Sequence, residues 1–156
     1  MLDYYFFSML MRIGFKKLTD TAKIPTYANE TDMGCDFYAD ESVVIKPKDS
    51  FLVSTGIAWE VLGGIPDGYK AELAIRSKSG LSVKHKIEKG AGTVDETYRG
   101  EIKIHLFNFG SKQFKVEKGM KIAQGVIDIK PMVKIIEIDT LSETARGSGG
   151  FGSTGT

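Results

Sequence analysis

The chain has 156 residues, enough for one domain with a real hydrophobic core. Its formal net charge is only +1, which argues against a dedicated nucleic-acid binder. Its single cysteine excludes an intrachain disulfide and fits a reducing compartment, the cytoplasm (a host's cytoplasm if the protein is viral). The first ten residues are apolar and aromatic. They are too few to span a bilayer and lack a signal peptide's basic start, so no membrane partner is expected. Residues 1–10 read as an extension of uncertain meaning.

From Met11 onward the elements are mostly short strands. Met11 opens the first. Val43–Ile45, Phe51–Val53 and Ile57–Trp59 are β-prone runs. Tyr69, Ala71, Leu73 and Ile75 then alternate with Lys70, Glu72, Ala74 and Arg76, the period of a strand with one buried face. Ser79–Lys86 alone reads as a helix, about two turns long. Ile102, Ile104 and Leu106 alternate with Glu101, Lys103 and His105. Phe114–Val116, Ile122–Ile129 and Val133–Ile138 complete the β-prone set. Turn residues punctuate it at Pro47-Lys48-Asp49, Pro66-Asp67-Gly68, Asn108–Ser111 and Lys118-Gly119. The expectation is an all-β jelly roll or barrel over residues 11–140 with one short helix. Residues 141–156 form a Gly-rich arm. A terminus of this composition frays by default. Its glycines and Arg146 are also what a phosphate-cradling loop uses, backbone N–H groups plus a bidentate donor.

Five segments carry candidate chemistry. They are Gly34–Ala39 (GCDFYA), Arg76–Leu81 (RSKSGL), Gly92–Gly100 (GTVDETYRG), Gly119–Gln124 (GMKIAQ) and Arg146–Gly155 (RGSGGFGSTG). Each alone has a bland explanation: Asp95 suits a hairpin turn, Tyr98 an ordinary strand, Lys78 a solvated helix start. Together and in this order they resemble the motifs of the trimeric dUTPase family, from about residue 11 to the end.

That resemblance implies a homotrimer with shared active sites that hydrolyses dUTP to dUMP and pyrophosphate with Mg2+. It implies that Asp95 is the base activating water and a partner of the sugar 3′-OH. Tyr98 lies under the deoxyribose and excludes a 2′-OH. Gly92, Thr93 and Val94 on one arm and Lys103 on the other offer backbone groups to uracil. Uracil presents an N3–H donor and an O4 acceptor, and cytosine presents the opposite pattern. Each unpaired buried polar group costs about 1–3 kcal/mol, so a fixed hairpin edge discriminates. Lys78, Ser79, Gly80 and Gln124 meet the phosphates, Gln124 also the nearby water. Asp36 reaches Mg2+ through a water. Arg146, Phe151, Gly152, Ser153 and Thr154 close over the nucleotide, with Phe151 on the base. Three positions depart from the family's usual pattern: Ser77-Lys78 stands for Pro-Arg, and Lys121 for Arg. Lysine keeps the charge and loses the planar fork. The alternatives are a dCTP deaminase of the same fold and a nucleotide-switched regulatory protein of phage type.

Overall fold

The computed structural model describes residues 10–90 and 92–150. Eleven strands and one helix follow in order: β1 (Arg12–Lys17), β2 (Cys35–Tyr38), β3 (Val43–Ile45), β4 (Ser50–Ser54), β5 (Ile57–Gly63), β6 (Tyr69–Ser77), α1 (Ser79–His85), β7 (Ile87–Lys89), β8 (Thr93–Asp95), β9 (Lys103–Asn108), β10 (Phe114–Val116) and β11 (Lys121–Pro131). All pairings are antiparallel. They give the sheets β2-β11-β6-β8 and β4-β9-β7 and the pairs β1-β5 and β3-β10. The architecture is an all-β distorted jelly roll.

The alternation in β6 and β9 does what its period dictates. Leu73 and Ile75 from one strand, and Ile104 and Leu106 from the other, enter one core with Phe37, Trp59, Ile87 and Ile122, and Ala71 is buried on the same face of β6. The turns form where their residues require. Tyr69 N–H donates to the Pro66 carbonyl at 3.1 Å, and Met120 N–H to the Glu117 carbonyl at 2.9 Å. Gly68 and Gly119 between them take φ of 78° and 83°, a region that glycine enters without a Cβ penalty. The helix ends at His85, and Lys86 closes it in a left-handed conformation.

One strand was not expected, and one expected strand is absent. Cys35–Tyr38 is a strand with no alternation, because Cys35, Asp36 and Phe37 are all buried. Val133–Ile138 is not a strand. β11 ends at Pro131, Met132 N–H still donates to the Gly68 carbonyl at 2.7 Å, and among the described residues no strand pairs with Val133–Ile138. Val133, Ile135, Ile136 and Ile138 lie 56–93% exposed. β propensity supplies no ladder partner, and a lone extended segment keeps its polar backbone in water.

Candidate active site

β8 is the edge strand of its sheet, and β6 covers only one side of it. β9 faces it across a gap, since β7 pairs only with the far half of β9, at Leu106–Asn108. Between these edges lies a cavity of about 400 Å3. Gly92, Thr93, Val94, Asp95, Tyr98 and Lys103 all line it, with Ile75, Ile102 and Ile104 as apolar wall. The strand edges here have backbone groups free for a ligand. Others are already engaged: the Gly92 carbonyl accepts from Ile75 N–H at 3.2 Å, and the His105 carbonyl from Gly90 N–H at 2.7 Å.

The turn that presents Asp95 is clamped. Tyr98 N–H donates to the Asp95 carbonyl at 3.0 Å. Glu96 accepts from Ala71 N–H at 2.7 Å, pinning the turn to β6. Arg99 bonds the Glu96 carbonyl and pairs with Glu60 at 3.4 Å. The Asp95 side chain stays exposed and makes no hydrogen bond of its own among the described residues. A carboxylate presented this way on a fixed turn can accept a proton from a bound water.

The remaining candidates lie elsewhere. Ser79 and Gly80 begin α1, both exposed. Gln124 lines a second depression, of about 460 Å3, with Asp32, Gly34, Arg76, Val126 and Asp128. Strand register sets the separation of Asp95 from Gln124. Asp95 pairs with Glu72, Glu72 with Asp128, and Gln124 is four residues back along β11. Four residues along a strand and two strand spacings across make roughly 16 Å between their backbones. One chain therefore does not bring Asp95 and Gln124 onto one water.

Asp36 sits opposite Gln124 on β2, only 1% exposed. It carries two ammonium groups. Lys78 bonds Oδ1, and Lys121 Nζ lies 2.7 Å from Oδ2. Burial pushes the Asp36 carboxyl up, but hydrogen bonds and charges from Lys121 and Lys78 outweigh it and hold it below its ordinary value. Lys78 and Lys121, two of the three departures from the family's pattern, are thus partners of one carboxylate. Sequence reading did not connect them, because 43 positions separate them along the chain.

Ser77 is the other departure. Its hydroxyl accepts from Lys89 N–H at 3.1 Å, tying the end of β6 to β7. Arg146 bonds within its own turn, to the Gly149 carbonyl at 2.9 Å. Phe151, Gly152, Ser153 and Thr154 lie outside the described residues.

A family model described as dUTPase matches residues 20–155. The chain belongs to the dUTPase family. It is 46% identical to the deoxyuridine 5′-triphosphate nucleotidohydrolase of Clostridium acetobutylicum over 148 residues, 94% of this chain and 98% of that protein. The protein of the same name from Gloeothece citriformis is 48% identical over 147 residues, covering 93% and 97%. Among solved structures, a Staphylococcus bacteriophage 80alpha dUTPase variant with dUpNHpp superposes with a TM-score of 0.79. It is 26% identical, covering 93% of this chain and 99% of that one.

Proposed function

We propose that this dUTPase-family chain hydrolyses dUTP to dUMP and pyrophosphate, limiting uracil in DNA and supplying dUMP for thymidylate synthesis. The observation that carries the reading is the cavity between β8 and β9, where Asp95 and Tyr98 share one wall with free strand edges. Those edges suit the donor and acceptor pattern of uracil, and the Tyr98 ring suits a sugar without a 2′-OH.

Asp95 takes a proton from water. The water oxygen bonds to the α-phosphorus, the bond from that phosphorus to the bridging oxygen breaks, and pyrophosphate leaves. Ser79 and Gly80 hold phosphate oxygens, and Gln124 orients the water and an α-phosphate oxygen. Among the described residues no group of three or more His, Cys, Asp or Glu side chains is placed to hold a metal. Asp36 already shares its carboxylate with Lys78 and Lys121. A Mg2+ carried by the triphosphate would need no protein cage, and Asp36 would meet it through water while still sharing its carboxylate with Lys78 and Lys121. Bound there, the ion supplies neutralisation of the developing negative charge.

The same reading makes the protein a cytoplasmic homotrimer. The register distance between Asp95 and Gln124 supports a site completed by a second copy, and the bare apolar run after Pro131 supports an interface. The arm from Leu141 onward, including Arg146 and Phe151, would close over the nucleotide of another subunit. About ten extended residues span roughly 33 Å. Pyrophosphate release measured on dUTP, UTP, dCTP and dTTP tests the function. Strong preference for dUTP is expected; ammonia release from dCTP, or equal use of UTP, would overturn it.

A further inference from the structure

Asp36, Gln124 and Arg76 form one cross-strand row over β2, β11 and β6. Residues directly opposite in an antiparallel ladder point to the same face, with Cβ atoms about 5 Å apart. Arg76 therefore projects beside Gln124 into the depression that both line. Its side chain is 62% exposed, and its one ion pair, to Asp128, is 3.9 Å long. That pair leaves the guanidinium's charge largely uncancelled. Burial lowers the pKa of the Lys89 ammonium, and the nearby Arg76 charge lowers it further. Lys78, expected on the phosphates, and Lys121 are both committed, since both sit on the Asp36 carboxylate. Arg76 is the planar, bidentate cation left in the row, and such a fork matches phosphate oxygens.

We propose that Arg76 is a substrate-binding residue of this chain, gripping the outer phosphates of the triphosphate beside Gln124 while Asp36 retains Lys78 and Lys121. This rests on the dUTP reading given above. It assigns to Arg76 the forked contact that lysines at positions 78 and 121 do not make.

The test is calorimetry and kinetics on the full-length protein and three variants, Arg76→Gln, Arg76→Lys and Asp128→Asn. In Arg76→Gln, KM for dUTP should rise about 10-fold or more, the usual worth of a charge-assisted contact. Affinity for dUMP, which lacks the outer phosphates, should change less than about 2-fold. Arg76→Lys should recover part of the loss. Binding of inorganic tripolyphosphate with Mg2+ should weaken in Arg76→Gln whether or not dUTP is the substrate, which separates this inference from the assigned reaction. Equal loss for dUMP and dUTP would overturn it. So would a matching defect in Asp128→Asn, which would make the Arg76–Asp128 pair a strand brace. A tripolyphosphate affinity unchanged in Arg76→Gln would also overturn it.

Discussion

The Tyr98 ring lies over Gly100, and its hydroxyl donates to the Glu101 carbonyl at 3.2 Å. A methyl group at position 100 would overlap the phenol oxygen. Gly100 thus fixes where the ring stands on the wall of the cavity that also holds Asp95. In Gly100→Ala the ring must swing away. Discrimination between dUTP and UTP, measured as the ratio of their kcat/KM values, should then fall by about 10-fold or more, as expected when a steric contact is lost. Thermal stability should change less. Unchanged discrimination would detach Tyr98 from sugar selection.

Asp95→Asn removes the proton acceptor and keeps the turn, because the hydrogen bonds that clamp the turn run through the Asp95 carbonyl and Glu96. Turnover should fall by about 10²–10⁴-fold, the usual worth of a general base. Binding of a non-hydrolysable dUTP analogue should stay within a few-fold. Single-turnover kinetics separate the two effects. A variant that still turns over at the parent rate would require another base.

The local pattern revealed those parts of the fold that one buried face dictates. Tyr69–Ser77 and Lys103–Asn108 alternate because each strand has core on one side. Cys35–Tyr38 escaped because both its faces are covered, leaving a short run with an acid in it. The contiguous Gly92–Gly100 segment held its cavity residues together, as β8 and the turn after it carry them. Arg76 escaped as a site residue because only register places it beside Gln124. The Asp36–Lys78–Lys121 cluster depends on the same long-range pairing, invisible to composition and periodicity. Val133–Ile138 has the propensity of a strand but no strand to pair with among the described residues.

Gly125 faces the core between Phe37 and Leu73, both fully buried. A methyl group there would come 2.5 Å from Phe37 Cε2 and 2.8 Å from Leu73 Cδ1. Neither ring nor leucine has room to retreat. Gly125→Ala should cost about 1–3 kcal/mol, the usual penalty of overpacking. In a chain of this size that lowers Tm by several degrees. The double variant Phe37→Leu with Gly125→Ala should recover part of the loss, because the smaller side chain vacates the contested space. Urea unfolding of the four proteins reads the coupling, and strict additivity would refute the packing argument.

Asp40 sets an acid limit on stability. Thr19 donates to Oδ2 at 2.5 Å and Thr21 to Oδ1 at 2.7 Å, while Lys118 Nζ lies 3.3 Å from Oδ1. Burial raises the carboxyl's pKa. The hydrogen bonds from Thr19, Thr21 and Lys118, with the lysine charge, more than offset this and leave it below the ordinary 3.8. A carboxylate lowered in the folded state contributes stability above its unfolded pKa. That contribution is lost as pH falls through the folded value. Stability should therefore drop below about pH 4, through protonation that the unfolded chain accepts first. Asp40→Asn should be less stable at pH 7 and show a flatter acid limb. Parallel Tm–pH curves for the two proteins would exclude Asp40 as a contributor.

The run from Met132 to Ile138 exposes Met132, Val133, Ile135, Ile136 and Ile138 in one short segment. Bare apolar residues so concentrated mark an interaction surface. The segment continues directly from β11, which carries Gln124, and leads to the Gly-rich arm. If a neighbouring copy covers it, changing Val133, Ile135 and Ile136 together to Ser leaves the core of each chain untouched, because none of them packs there. Each chain should stay folded by circular dichroism. Sedimentation should shift from trimer to monomer, and dUTP hydrolysis should fall with it, since Asp95 and Gln124 of one chain stand roughly 16 Å apart by strand spacing. A trimer that survives the triple substitution with full activity would move the interface elsewhere. A monomer that still hydrolyses dUTP at the parent rate would mean that one chain carries a complete site, against the register of β8, β6 and β11.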